Sequence, residues 1–471
     1  MSYPRCSRAL THSCRIMSRL VQCSRSRTIL KKTGVVLSEL KSGNSFRLSV
    51  HRLPRLLKGG MSFPNLQTIV RHASSCATTP KANTINNSGR SLDVEWSDGS
   101  KSRFHGVWLR HNCHCLECKQ VDSGQKTLDI VNIPPDISVE SADISGDGVE
   151  LKWTCGHVGR VPLQYLHSNC YSQEARHKRA AQVRLTDECT AKSIPALLYS
   201  DVIQSQTQLL KWLTLINQYG LCLLTGVPLE QNMVTKVAEL IDRPQHTIYG
   251  DSFDVVSTPR PINIAYSSVG LDLHMDLVYY ESPPGLQLLF ARRFDKCVEG
   301  GESVFLDVFR VAEDFREQNS QHFQSLVEVP ATFQKVHYDR ESPVHITFQR
   351  PHIVLNNNNE IVNVNWAPAF EGPLSIPEVD IERYYAAYQS FAKALEASPH
   401  TLTYQLQEGD VVVFNNRRML HGRHSFTLNG GSRLLEGCYV HIDHFKSKLQ
   451  VLSNTVGDGH PARRVGNQDW F

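Results

Sequence analysis

The stretch LHMDLVYYESPPG at residues 273–285, read together with FNNRRMLHGRHSF at residues 414–426, decides the fold. His274 and Asp276 stand two apart in the first stretch; His421 stands in the second, 147 residues after His274, and Arg433 follows twelve residues later. Two imidazoles and one carboxylate are the donor set that holds one face of a non-haem Fe(II) octahedron and leaves the other corners for substrate and O2. On a strand, residues i and i+2 point to the same face, so the spacing predicts His274 and Asp276 side by side on a strand. His421 then has to arrive from another strand end, a non-local contact suited to a β-barrel of the cupin or jelly-roll type.

Working outward, 471 residues with 41% hydrophobic and 20% charged content describe a globular chain with room for two to three domains. The net charge of +4 conceals an asymmetry: residues 1–90 hold 16 Lys and Arg against the single acid Glu39, so the remainder carries −11. An acidic body argues against nucleic acid as a partner, because phosphate binding needs a basic surface. The leader MSYPRCSRALTHSCRIMSRLVQCSRSRTILKK is rich in Arg and Ser and free of acids, the composition of a transit peptide to the mitochondrial matrix. A basic tail upstream of a true start at Met61, with a cytoplasmic protein, is the competing expectation. No run of 18 apolar residues occurs, so no membrane span is expected. Thirteen scattered cysteines fit a reducing compartment, with thiols free or on metal.

Residues 1–89 read as transit peptide and polar linker, the latter ending in SSCATTPKANTINNSG (residues 74–89). From Leu92, LDVEWSDGSKSRFHGVWLR alternates apolar and polar residues across a DG turn, a hairpin pattern. ISVESADISGDGVELKW and HVGRVPL add further short strands, so residues 90–178 read as a small β-rich domain. Residues 190–455 change texture. QTQLLKWLTLINQYG is an amphipathic helix ending at Gly220, LCLLTGVPL a buried strand, and EQNMVTKVAELIDR a second helix. Short strands follow, broken by the helix VDIERYYAAYQSFAKALEA, whose Ile381, Tyr384, Tyr388, Phe391 and Leu395 form a core-facing stripe. The class is α+β, mainly β. No internal repeat is visible.

NCHCLEC places Cys113, Cys115 and Cys118 within six residues, and WTCGHVG supplies a later partner. Three thiolates and one further donor make a closed tetrahedral Zn2+ site. By spacing the fourth ligand is Cys155 or His157, with His111 and His114 as competitors. A domain this small gains folding energy from a metal staple.

LHMDLVYYESPPGLQLLFARRFDKCVEGGESVFLDVFRVAEDF, GDVVVFNNRRMLHGRHSF and SRLLEGCYVHIDHFKSKLQVL, together with WLRHNCHCLEC, resemble the gamma-butyrobetaine and trimethyllysine dioxygenase family of Fe(II)/2-oxoglutarate oxygenases. The resemblance spans roughly residues 90–455 with the motifs in order. It implies a zinc-binding N-terminal β domain followed by a double-stranded β-helix dioxygenase domain. It also implies His157 as the fourth zinc ligand and His274, Asp276 and His421 as iron ligands. Arg433 becomes the cation for the far carboxylate of 2-oxoglutarate, aided by Ser303, and ascorbate the reductant. Tyr249, Phe253, Tyr266 and Tyr439 become a cage for a quaternary ammonium, which is held by ring faces because it has no hydrogen to donate. Phe253 stands where the family usually has Trp.

The implied reaction is hydroxylation of gamma-butyrobetaine to carnitine with release of succinate and CO2, in a homodimer. Hydroxylation of trimethyllysine or another betaine, and a non-catalytic scaffold built on the zinc module and barrel, are the alternatives. Two departures bear on the substrate. Asn263 matches one of two asparagines that grip the substrate carboxylate, but the other position reads Ala367-Pro368. Arg417 replaces a Trp.

Overall fold

The structure, a computed structural model, describes residues 36–42, 45–51, 81–257 and 264–463. The chain divides into two compact units, Met1–His72 and Ala73–Phe471. In the first, Val36–Ser42 and Ser45–His51 pair as an antiparallel hairpin with Val36 opposite His51. The remainder of the leader, including Met61, lies outside the described residues.

The linker expected to run to Gly89 ends earlier, because Ala82–Asn87 is a strand paired with Ser91–Trp96. Its sequence ANTINN carries a single large apolar residue, Ile85, so alternation could not reveal it. Edge pairing and the Asn87 amide donating to the carbonyl of Val139 hold it in place. Ala82–Asn87, Ser91–Trp96 and Lys101–His105 form one three-stranded sheet; Val139–Ser145, Gly148–Trp153 and Val158–Pro162 form another. The alternating Leu92, Val94, Trp96 and Val149, Leu151, Trp153 sink into one core with Phe104, Leu109 and Leu166. Each such residue contributes roughly 1.5–3 kcal/mol of burial.

These two sheets are copies of one design, which corrects the reading that the chain has no repeat. The second and third strands of each sheet and the helices that follow them, Gly106–His111 and Leu163–Ser168, coincide after a constant shift of 57 residues, Trp96 to Trp153. Over residues 94–113 and 151–170, six of twenty positions are identical: Trp96/Trp153, Gly99/Gly156, Arg103/Arg160, Leu109/Leu166, Asn112/Asn169 and Cys113/Cys170. Gly99 and Gly156 share the same left-handed φ of +82° at the hairpin turn. Elsewhere the two copies share only apolar character at inward positions, and that escapes a residue-by-residue reading.

The rest of the unit is built on two larger sheets. One has six strands in the order Phe253–Val256, Arg433–Val440, Leu286–Phe294, Val411–Asn415, Leu221–Thr225 and Ala196–Leu198; only the last pair is parallel. The other has four antiparallel strands: Leu271–His274, Met419–Arg423, Ser303–Asp307 and Thr401–Tyr404. Leu221, Leu223, Val412, Phe414 and Leu435 of the first pack against Phe305 and Met419 of the second. The alternate residues Cys222, Leu224, Val411 and Val413 face the helices Gln206–Tyr219 and Ile442–Val456. A sheet covered on both faces explains why LCLL and VVVF read as unbroken apolar runs.

Behind the four-stranded sheet, Leu306 and Leu420 pack with Tyr384, Phe391 and Leu395 of the helix Ile381–Glu396, the stripe expected from sequence. Among the described residues no helix is long and apolar enough to cross a membrane.

Candidate active site and metal centres

The strand Leu271–His274 stops at the histidine, so His274 and Asp276 do not share a strand as the spacing predicted. The chain turns there, with Leu277 at φ +53° and fully buried. Asp276 is fixed instead by a side chain: its N–H donates to Asn416 Oδ1 (2.8 Å), and Asn416 Nδ2 donates back to its carbonyl (3.0 Å). The amide of Asn416 thus stands in for a neighbouring strand. His421 lies on Met419–Arg423 directly opposite His274 in the antiparallel register, with ring centroids 4.3 Å apart. Cross-strand pairing is how residues so distant in sequence become neighbours.

The ligand atoms of His274, Asp276 and His421 all lie within 4.8 Å of one another. His274 Nε2 is 3.3 Å from Asp276 Oδ1, and His421 Nε2 is 3.8 Å from Oδ2. His274 Nδ1 sits 2.8 Å from the carbonyl of Asp272, which sets the ring with Nε2 toward the other two donors. Burial, with His274 alongside, lowers the pKa of His421 to about 3, so it is the neutral imidazole that ligates metals. Burial opposes charge on Asp276, but the hydrogen bonds from His274 and Tyr439 outweigh it and keep the carboxylate ionised.

A cavity opens from this cluster. Arg433 lines it from the start of its strand, 5% exposed, with its guanidinium over the rings of Phe294 and Phe426. Its Nε is buried without a partner, and among the described residues no acid pairs with it. Burial, with Arg423 adjoining, lowers its pKa to about 9. A cation so placed is costly unless an anion arrives. Ser303 is buried in the same wall.

Tyr249, Phe253, Tyr266 and Tyr439 all line the cavity, with Phe253 5.8 Å from Tyr249 and 5.2 Å from Tyr439 between centroids. Tyr439 does more than present a ring: its hydroxyl donates to Asp276 Oδ2 at 2.8 Å. Asn263 lies outside the described residues. Ala367 is wholly buried in the core and does not line the cavity. Arg417 is turned away as well, donating to the carbonyls of Pro283 and Pro284 and the hydroxyl of Ser282.

Two residues escaped the sequence reading. Asn416 is one, and Gln287 is the other: it lines the cavity opposite Tyr439 in the ladder, its Oε1 buried and unpartnered. A polar residue inside LQLLFA was the available signal.

The second cluster joins Cys113, Cys115, Cys118 and His157, with each sulfur 3.5 Å from His157 Nε2. Cys155 is exposed, His111 sits against Lys126, and His114 against the carbonyl of Asn112. A Cβ on Gly159 would lie 2.2 Å from Cys113 Sγ and 3.0 Å from His157 Nε2, so a glycine there leaves room for the donors. The cluster crosses the repeat, taking Cys113 from the first copy and His157 from the second. The matching positions, Cys170 and Ser100, build no such group among the described residues.

Residues 185–439 match the taurine catabolism dioxygenase TauD, TfdA family, and residues 83–159 match the gamma-butyrobetaine hydroxylase-like N-terminal family. Gamma-butyrobetaine dioxygenase of Pseudomonas sp. (strain AK-1) is 31% identical over 363 residues, covering 77% of this chain and 93% of the relative. The Homo sapiens protein of the same name is 27% identical over 377 residues, 78% and 96% of the two chains. The mitochondrial trimethyllysine dioxygenase of Bos taurus is 27% identical over 357 residues, 74% and 83%. With an open three-donor cluster, a buried unpaired guanidinium beside it and a family match over more than half its length, the chain belongs to the TauD/TfdA family of Fe(II)/2-oxoglutarate dioxygenases.

Proposed function

We propose that this dioxygenase hydroxylates gamma-butyrobetaine to carnitine, converting 2-oxoglutarate and O2 to succinate and CO2. One observation carries the reading: a buried guanidinium with no acid partner, Arg433, shares an aromatic-walled cavity with three converging metal donors. The relatives named gamma-butyrobetaine dioxygenase, aligned over most of both chains, support the substrate.

In this reading His274, Asp276 and His421 hold Fe(II), and the two imidazoles and the carboxylate are the donor types that metal takes. When bound, the metal couples oxidative decarboxylation of 2-oxoglutarate to insertion of one oxygen atom into a substrate C–H bond. Arg433 receives the far carboxylate of 2-oxoglutarate through its two-pronged fork, and Ser303 offers a hydroxyl to the same anion. Tyr249, Phe253, Tyr266 and Tyr439 hold the trimethylammonium group by their faces and exclude water from it. Tyr439 also donates its hydroxyl to Asp276 Oδ2 and so orients that carboxylate. Ascorbate keeps the metal reduced.

The Cys113, Cys115, Cys118 and His157 group is a structural Zn2+ site, and the two large sheets are a double-stranded β-helix. A homodimer and import into the mitochondrial matrix belong to the same proposal, the latter resting on the Arg/Ser-rich leader. Purified protein supplied with Fe(II), 2-oxoglutarate and a panel of trimethylammonium acids tests the function. Succinate release is expected to depend on gamma-butyrobetaine; release with another betaine alone would replace the substrate.

A further inference from the structure

Two arginines line the cavity, and they are used differently. Arg433 faces it with its Nε unpartnered, whereas Arg423 is spent on the chain itself. Arg423 ends the strand Met419–Arg423, two residues after the metal donor His421, and is 7% exposed. Its guanidinium lies 4.9 Å from the centre of the Phe426 ring, over which Arg433 also sits. Three backbone carbonyls meet that guanidinium. Nη1 donates to Ala265 at 3.1 Å, and Nη2 donates to Ser267 at 2.7 Å and to Val269 at 2.8 Å.

Those carbonyls belong to a segment with little regular structure of its own. Ile264–Tyr266 is a single 3-10 turn, and residues 267–270, up to the strand Leu271–His274, belong to no strand or helix. Ser268 and Val269 are exposed. A connection of this kind is the part of a fold that moves most readily. A second tie comes from beyond the same strand, where the Phe426 N–H donates to the carbonyl of Ser268 at 3.1 Å. Tyr266 sits between two of the gripped residues, Ala265 and Ser267, and lines the cavity. A buried cation is costly unless hydrogen bonds offset its lost hydration. Here backbone carbonyls supply that offset, so the arginine and the segment hold each other in one geometry. A planar fork reaches several acceptors at once, which the point charge of a lysine does not.

We infer that Arg423 is a positioning residue for the substrate: by gripping the carbonyls on either side of Tyr266, it fixes that ring in the cavity wall. The inference rests on the reading given above, in which Tyr266 meets the trimethylammonium group. It gives one strand two tasks. Met419–Arg423 presents the metal donor His421 and, two residues on, sets the aromatic wall, so that metal and ring share one frame.

The test is a double-mutant cycle on the full chain loaded with Fe(II): wild type, Arg423→Met, Tyr266→Ala and the double variant. The KM for gamma-butyrobetaine, the KM for 2-oxoglutarate and kcat are measured for each. Arg423→Met is expected to raise the betaine KM roughly tenfold, as for loss of a charge-assisted contact, with a smaller change in the KM for 2-oxoglutarate. Tyr266→Ala should raise the betaine KM as well. The double variant should go no further than the larger single effect, because a loosened ring and a missing ring are the same loss. Arg423→Lys keeps the charge without the fork and should fall between wild type and Arg423→Met; it carries the cycle should the methionine variant not fold. Effects that multiply in the double variant, a betaine KM unchanged in both Arg423 variants, or an equal rise in both KM values overturns this inference alone. A Tyr266→Ala enzyme with a wild-type betaine KM, or a wild type that turns over no gamma-butyrobetaine, overturns the functional reading and takes this inference with it.

Discussion

The two donor clusters of this chain differ in what surrounds them more than in how tightly they are drawn together. Cys113, Cys115, Cys118 and His157 supply four donors, the number that closes a tetrahedron, and they sit against the core of the small repeated domain. His274, Asp276 and His421 supply three, beside a cavity with a buried unpaired guanidinium and a ring-lined wall. A donor set that saturates its metal serves the fold, and one that leaves positions open serves chemistry. The contrast extends to what each costs the protein. The closed cluster demands only a glycine at position 159. The open one demands a left-handed Leu277, an asparagine in place of a strand neighbour and a guanidinium without an acid. Strain and unpaired charge of this kind gather at functional sites.

The comparison breaks most easily at the open cluster. His421→Ala or Asp276→Ala is expected to lower gamma-butyrobetaine-dependent succinate release at least about a hundredfold, since no spare ligand replaces the lost one. Thermal melting should move little, and a variant that melts much earlier would show the cluster to be structural. Cys113→Ser is expected to do the reverse: bound zinc falls from one per chain, and the N-terminal domain loses several kcal/mol, on the order of a whole domain's stability. Circular dichroism with metal analysis checks this, and a zinc-free variant with a wild-type melt refutes it.

Arg433→Lys sharpens the picture of the open site. It should raise the KM for 2-oxoglutarate by roughly 10- to 150-fold, the loss of one arm of a charge-assisted fork, with a much smaller effect on the betaine. Equal effects on both substrates would move Arg433 out of that role.

Gly159→Ala should destabilise the closed cluster by about 1–3 kcal/mol, the usual penalty of overpacking, read as earlier zinc release on titration with a chelator. The smallest effect belongs to Tyr439→Phe. It keeps the ring beside Phe253 and removes the hydroxyl from Asp276, so Fe(II) binding should weaken by about 0.5–1.5 kcal/mol while betaine affinity holds. If betaine affinity falls and Fe(II) binding holds, the hydroxyl serves the substrate instead.

Residue types and spacing marked out HxD with a distant His and the three cysteines of CHCLEC as candidate donors, because these are local patterns whose chemistry is in the side chains themselves, whereas the choice of His157 over Cys155 came from the family resemblance. The apolar runs LCLL and VVVF likewise announced buried strands, and the stripe on residues 381–395 announced its helix. Other features depended on partners far along the chain. Whether Asp276 continues a strand was decided by Asn416, 140 residues away. His274 and His421 meet through a ladder register that neither segment encodes alone. Arg417 looked like an altered substrate contact until the fold turned it onto Pro283. The repeat stayed hidden because two copies of a half-buried hairpin need to share only a side-chain period, a turn glycine and a few packing residues. Sequence alone determined which atoms are available to bind metals and anions, since that is a property of each side chain. Tertiary structure alone decided which of them converge and which are left unpaired, since distance, burial and the loss of solvent are properties of the folded chain.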